Sequence, residues 1–368
     1  MKKNISVLLI LGVAVSVIAL FLAFRNVPFS DLVLYMASIN LIWAVPSVLT
    51  GLIAYLVRVS RWQMILGPSH RVGFWQAFHP LMIGFMMNCI VPGRIGELAR
   101  PAILKKNMNV PFSTGLATVI VERVFDVIIL ILLFAGLSAV VEIDPDLDIT
   151  FNQYHLNRET LIAIGNGMIK LFLLLIAGIL MLSIPRTRKM IQQIIQNAPS
   201  LLFFVGKAAK EKLEKRVCNP LLRFIENFAH GLSLLKYPAR ILACFGLSVV
   251  IWCLMACSFY IIAQGCPGIT VSFIELYAVL VITCFFIALP SVPGFWGVWE
   301  AGGVFALALF GVSAKDAAGF TLANHAIQMI PIIIVGLVSA MITGVDIWQV
   351  SYGEDRFHDN TRDIDISG

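Results

Sequence analysis

The chain has 368 residues and a formal net charge of +6, with 59% hydrophobic and only 13% charged residues and a mean hydropathy of +0.89. A soluble domain carries about a quarter charged residues, so the composition excludes a chain folded mainly in water. Its basic excess falls mostly between apolar runs. It therefore speaks to topology and anionic headgroups, and nucleic acid is not an expected partner.

The first element is an apolar stretch from Ile5 to Phe24 behind Met1-Lys2-Lys3. At about 20 residues, with no small-x-small cleavage site before Arg25, it predicts an uncleaved anchor with a cytoplasmic N-terminus. Further apolar runs lie at 41–59, 74–91, 113–141, 161–184, 241–263, 271–289, 296–312 and 317–343. Crossings need about 20 residues, but nine full crossings put the charges on conflicting sides. Arg58, Arg61 and Arg71 follow the second run, and Arg94, Arg100, Lys105 and Lys106 follow the third. Both groups ask for the cytoplasmic side, as they can if residues 74–104 enter, turn and return. Val91-Pro92-Gly93-Arg94-Ile95-Gly96 supplies the turn, since proline lacks a donor and glycine is permissive.

Run 113–141 then leads outward to the acids Glu142, Asp144, Asp146 and Asp148, and 161–184 returns to the basic stretch 186–240. Runs 271–289 and 296–312, split by Pro290-Ser291-Val292-Pro293-Gly294-Phe295-Trp296-Gly297, predict a second hairpin dipping in from the other side. The fold class expected is an all-α polytopic integral membrane protein of the cell inner (plasma) membrane. It has about six full spans plus two Pro-Gly re-entrant hairpins, about eight hydrophobic segments in all. Residues 1–345 form one transmembrane domain and 346–368 a polar cytoplasmic tail.

The two breaks share V-P-G-x-x-G: Val91, Pro92, Gly93 and Gly96 match Val292, Pro293, Gly294 and Gly297. Each is preceded by an apolar run opening on Phe74 or Phe273 and followed by a span with an early glycine, Gly115 or Gly319. With one hairpin opening inward and the other outward, the half-repeats 41–184 and 241–345 form an inverted repeat. Many secondary transporters are built so, with the site at interrupted helices. Pro-Gly turns that merely recur are the plainer alternative. In the repeat reading Pro92, Gly93, Gly96, Pro293, Gly294 and Gly297 are hinges.

Ionisable groups inside spans carry the sharpest information, because each costs about 2.5–3.5 kcal/mol at a helix centre. Glu122, Arg123 and Asp126 sit together within 113–141, with Glu122 and Asp126 on one face. Facing lipid they would cost about 7–10 kcal/mol, so they face protein or a wet cavity. A translocation path and a structural ion-pair cluster both satisfy that requirement. Arg94, Glu97 and Arg100 stand three apart and, if helical, form one stripe able to grip a phosphate; an internally paired positive-inside anchor is the alternative. Glu300 is the second hairpin's charge, and Asn324, His325 and Gln328 form a polar patch in the last span. His325 can titrate near neutrality or serve as a helix contact. His79 and Asn88 are weaker candidates, and Lys170 and Asn166 can snorkel. Trp43, Trp296, Trp299 and Trp348 suit interfacial belts. The stretch 186–240 interleaves basic and apolar residues, as surface helices on an anionic leaflet do, or it is a solvated linker.

Seven scattered cysteines predict reduced core residues, including Cys253 and Cys257 one turn apart. No pattern suggests a metal centre, Walker loop, dinucleotide fingerprint or nucleophile elbow, so no metal or cofactor is expected.

N-C-I-V-P-G-R-I-G-E-L-A-R (88–100), V-E-R-x-x-D (121–126) and P-x-V-P-G-x-x-G-x-x-E-A (290–301) resemble the lysylphosphatidylglycerol synthase transmembrane family, the flippase-like domains of MprF-type proteins. The resemblance spans about 1–345 and implies movement of a lipid, or a lipid-linked head, between leaflets. Arg94 and Arg100 would hold a phosphate, and Glu97, Glu122, Arg123, Asp126 and Glu300 would line the path. Two departures stand out. No soluble synthase domain is read here, which argues against lysylphosphatidylglycerol as substrate, and Asn324-His325 stand where an arginine is expected. The rival readings are an integral-membrane enzyme acting on a lipid phosphate and a scaffold for a cytoplasmic glycosyltransferase or lipid synthase engaged through 186–240. Oligomeric state is not legible.

Overall fold

The computed structural model describes residues 2–25, 27–140, 149–151, 154–156, 170, 173, 174, 176–201, 213–289 and 291–346. Its architecture is all-α. In chain order come α1 (Lys2–Phe24), α2 (Phe29–Ser38), α3 (Ala44–Leu66), α4 (Phe74–Ile90), α5 (Gly96–Met108) and α6 (Phe112–Val140). After them follow α7 (Pro185–Leu201), α8 (Asn219–Gly231), α9 (Pro238–Ala263), α10 (Phe273–Ile287), α11 (Val298–Ala308) and α12 (Ala314–Thr343). One small antiparallel pair, β1 (Ile149–Phe151) and β2 (Tyr154–Leu156), is the exception among the described residues. The run 161–184 and the acids at 142–148 lie largely or wholly outside them, as does the tail beyond 346.

Among the described residues, stretches Leu41–Leu66, Pro238–Ala263 and Ala314–Thr343 are long and apolar enough to cross a membrane. Their outer faces fit lipid: Ile42, Leu242, Met341 and Ile342 are all mostly exposed, whereas a soluble surface would break such a belt with charge. Helix α6 has 29 residues, about 44 Å at 1.5 Å per residue, but carries three charges. The first apolar run is one helix to Phe24, and beyond it the chain bends by 77° into α2 at Phe29. That bend falls before Pro28, which cannot continue a helix at its own amide.

Each Pro-Gly break separates two helices that lie against one another, α4 with α5 and α10 with α11. Close approach explains the glycines. A Cβ on Gly96 would sit 1.8 Å from the Gly84 carbonyl oxygen, and one on Gly302 would sit 2.9 Å from Phe286. The two turns also share a backbone. Gly93 and Arg94 have φ of 81° and 54°, and Gly294 and Phe295 have 71° and 63°. A left-handed conformation costs a non-glycine residue about 1–2 kcal/mol. Arg94, Asn109 and Phe295 are the non-glycine examples among the described residues, so two of the three occupy equivalent places.

Helix packing follows the same correspondence. If α3, α4, α5 and α6 are matched with α9, α10, α11 and α12, each contact in one set has its counterpart. Thus α4 packs on α12 as α10 packs on α6, and α5 on α6 as α11 on α12. Between them α3 and α9 pack on each other, pinned where Ser47 and Ser258 each donate to the other's carbonyl at 2.9 and 2.8 Å. Helix α1 is additional and lies on α11. In the basic stretch, α8 buries Ile225, Phe228 and Ala229 and packs on α6, so that part is no free linker.

Candidate functional site

Long apolar helices bring their few charges together because an unpaired ion in a low-dielectric interior is untenable. Glu122, which is fully buried, accepts both guanidinium nitrogens of Arg100 at 3.1 and 2.8 Å and one from Arg123 at 2.7 Å. Asp126, one turn on, accepts from Arg61 at 2.7 Å and from Arg58 at 3.4 Å, while Arg123 lies 3.5 Å away. Arg61, also fully buried, donates to Ser248 of α9 at 2.7 Å and stands 3.7 Å from Glu122. Glu97 and Arg123, each about 30% exposed, face one another at 3.8 Å. Aromatic faces complete the enclosure. The Arg100 guanidinium lies 4.1 Å from the Trp62 ring, and Arg58 lies near Tyr55 and Phe85, contacts that favour a desolvated cation.

Among the described residues four guanidiniums (Arg58, Arg61, Arg100, Arg123) face three carboxylates (Glu97, Glu122, Asp126), which leaves one positive charge. The Nε groups of Arg58, Arg61, Arg100 and Arg123 have no hydrogen-bond acceptor.

Arg58 and Arg61 look like charges that follow a span. In the structure α3 runs on to Leu66, which puts both inside the helix and buried. Their spacing of three and the apolar Trp62, Ile65 and Leu66 beyond them are the signal that could have shown it. The expected stripe of Arg94, Glu97 and Arg100 also does not form. Arg94 precedes α5 in the left-handed turn, is exposed, and donates to the Ile287 carbonyl at 2.5 Å with its guanidinium 5.3 Å from the Phe295 ring. Arg94 and Arg100 therefore take different partners rather than forming one clamp.

Those Arg94 contacts join the two breaks. Gly294 faces the carbonyl of Cys89 and the sulfur of Met329 so closely that a Cβ would be 3.1 and 2.9 Å from them. The amides of Gly96 and Gly297 are each captured by a side chain, from Asn88 at 2.9 Å and Glu300 at 2.7 Å.

Glu300 is not part of the arginine cluster. It is fully buried, and its other oxygen lies 2.6 Å from His325 Nδ1, while Nε2 faces the Gly294 carbonyl at 2.8 Å. Trp299 stacks on His325 at 4.6 Å and Trp296 lies at 4.4 Å. Gln328 donates to Ser258 at 2.7 Å, and Asn324 Oδ1 is buried without a partner. Asn324, His325 and Gln328 repeat in α12 the spacing of Glu122, Arg123 and Asp126 in α6. Of the weaker candidates, Asn88 serves Gly96, Lys170 is exposed, and Asn166 is outside the described residues. All seven cysteines are free. Among the described residues no group of three or more metal-ligating side chains occurs.

An all-α membrane protein in which two interrupted helices meet beside a buried guanidinium-rich cluster is the class that fold and site define. The sequence model for the lysylphosphatidylglycerol synthase transmembrane region matches residues 9–336, and the chain belongs to that family. It is similar to the glycosyltransferase AglD of Haloferax volcanii, 27% identical over 138 residues, which are 37% of this chain and 21% of that protein. It is also similar to the UPF0104 membrane protein MJ1078 of Methanocaldococcus jannaschii, 35% identical over 91 residues, or 24% of this chain and 34% of that one. The matched parts thus span about a fifth and a third of these relatives. No solved structure matches.

Proposed function

We propose that this protein carries an anionic, phosphate-bearing lipid headgroup between the leaflets of the cell's inner membrane. The surplus of buried guanidiniums over carboxylates carries the proposal. A positive excess in a low-dielectric interior favours an anion that brings acceptor oxygens. Exposed Arg94 and half-buried Arg123 and Glu97 give the headgroup a first contact, while its acyl chains stay in lipid. Equivalent packing of the two halves, with matching left-handed turns that touch, supports an inverted repeat of two re-entrant hairpins whose Pro92–Gly96 and Pro293–Gly297 segments act as hinges. Both termini would lie in the cytoplasm, with 186–240 against the anionic leaflet.

The partner is membrane lipid. A glycosyltransferase appears by name among the relatives, and a cytoplasmic lipid-modifying enzyme is a fitting supplier of the cargo. Catalysis by this chain is the weaker reading, because Glu122 and Asp126 are held by guanidiniums. That arrangement suits binding charge better than exchanging protons.

The test is reconstitution of the full chain in liposomes with headgroup-labelled phosphatidylglycerol and phosphatidylcholine, followed by quenching of the outer leaflet. The wild type should move the anionic probe faster than the zwitterionic one, and Arg94→Ala should slow it. Equal rates in empty and protein-containing liposomes would remove the transport reading, and a chemically altered probe would replace it with the enzymatic one.

A further inference from the structure

The dyad at the second break has a proton inventory that geometry alone decides. A carbonyl oxygen only accepts, so Nε2 of His325, 2.8 Å from Gly294 O, must carry hydrogen. At Nδ1, 2.6 Å from Glu300 Oε1, two lone pairs would collide unless a proton lies between them. That proton belongs either to an imidazolium facing a carboxylate or to a carboxylic acid facing a neutral imidazole. The pair is uncharged overall in both forms, as its complete burial requires. Losing the proton leaves an anion in a buried site, opposite a nitrogen lone pair.

Around the dyad the other titratable groups are spoken for or do not reach it. Helix α12 packs on α2, α3, α4, α9 and α11. Arg58 and Arg61 of α3 are committed to α6, Tyr35 of α2 donates to the Pro267 carbonyl, and Asp316 of α12 is bound by Ser313. Asp31 of α2, Tyr55 of α3, His79 and Cys89 of α4, Lys315 of α12, and the cysteines, Arg240 and Tyr260 of α9 make no hydrogen bond or ion pair with either member. The same holds for Glu275, Tyr277 and Cys284 of α10, which packs on α11. Glu300 is also the acceptor that caps α11 at Gly297, and His325 holds the Gly294 carbonyl. The shared proton therefore ties α12, through Glu300, to Gly297, while the Nε2–H of His325 ties it separately to the Gly294 carbonyl.

We infer that Glu300 and His325 together bind an exchangeable proton that couples transport, and that its release loosens the tie between the second Pro-Gly hinge and α12. This rests on the transport reading above. The step breaks the Nδ1–H···Oε1 link. The proton leaves to water, Glu300 remains anionic and keeps its bond from the Gly297 amide, and neutral His325 keeps only its Nε2–H bond to the Gly294 carbonyl. Glu122 and Asp126 are unsuited to the task, since each already neutralises guanidiniums.

Two measurements on the full chain separate this inference from the reading it rests on. In liposomes, an imposed pH gradient should accelerate movement of labelled phosphatidylglycerol by the wild type. His325→Gln and Glu300→Gln should lose that gradient-driven component. Wild-type transport indifferent to the gradient, or acceleration retained in either variant, overturns the inference and leaves the transport reading standing. Nitrogen NMR of 15N-histidine-labelled protein does not require transport. The resonance that disappears in His325→Gln should show Nδ1 sharing a proton at low pH and losing it as pH rises. A bare Nδ1 at every pH overturns the proposal even if lipid moves. No lipid movement with a titrating Nδ1 overturns the coupling role and the transport reading together.

Discussion

The two hairpins have one backbone and two chemistries. Beside the first, Glu122, Arg123 and Asp126 of α6 gather arginines from α3 and α5 into a charge-dense cluster. Beside the second, Asn324, His325 and Gln328 occupy the same spacing of α12, and one carboxylate meets one imidazole. Equivalent helices thus carry full charges in one half and polar, nearly neutral groups in the other. The difference shows which constraints belong to the scaffold and which to the work done on it. Break geometry and limb packing recur in both halves, whereas the ionic content does not.

The sharpest way to break this comparison is to neutralise both carboxylates. Glu122→Gln should destabilise the protein by about 3–5 kcal/mol, because it strands buried guanidiniums. Glu300→Gln should cost only about 1 kcal/mol, since an amide oxygen still accepts from Gly297. Thermal midpoints in detergent at pH 7 measure both, and equal losses would erase the distinction.

Next come the limbs. Gly96→Ala places a methyl 1.8 Å from the Gly84 carbonyl oxygen and should cost at least about 1–3 kcal/mol by overpacking. Gly93→Ala meets no atom within 4 Å and should cost only the left-handed strain, about 1–2 kcal/mol. The difference in unfolding midpoint between these two variants tests whether close helix approach or turn geometry dominates the hairpin. Smaller again, Gln328→Ala removes a single interhelical hydrogen bond to Ser258 and should cost about 0.6 kcal/mol. The smallest stability change, about 0.5 kcal/mol, is expected for exposed Arg94→Ala, although the same variant should slow transport of the anionic probe.

Much of the scaffold was legible in the sequence. The breaks announced themselves through Pro92, Gly93, Pro293 and Gly294, because these residues cannot continue a helix. Glu122, Arg123 and Asp126 declared that α6 faces protein, because lipid would not tolerate them. Pairing was harder to read. Arg58 and Arg61 satisfied the positive-inside rule as topological markers, and that sufficient explanation hid their commitment to Asp126. Glu300 and His325 stand 25 residues apart on different helices, so no local period connects them. Arg94 looked like part of a helical stripe, but its φ of 54° points it across to the other break. A one-dimensional pattern shows which side chains need partners; only the packing shows which partner each one takes.

Among the described residues helix α1 has no counterpart in the first half. Its Ser16 hydroxyl accepts from the Val292 amide at 3.0 Å, and its backbone lies so close to Gly297 that a Cβ there would be 2.3 Å from the Ser16 oxygen. The second break is therefore backed at Gly297 by a helix from outside the hairpin, whereas Gly96, its equivalent at the first, is backed by Gly84 of its own hairpin. Two breaks with one backbone are thus held differently, the second by a helix that reaches Val292 and Gly297 from outside the hairpin.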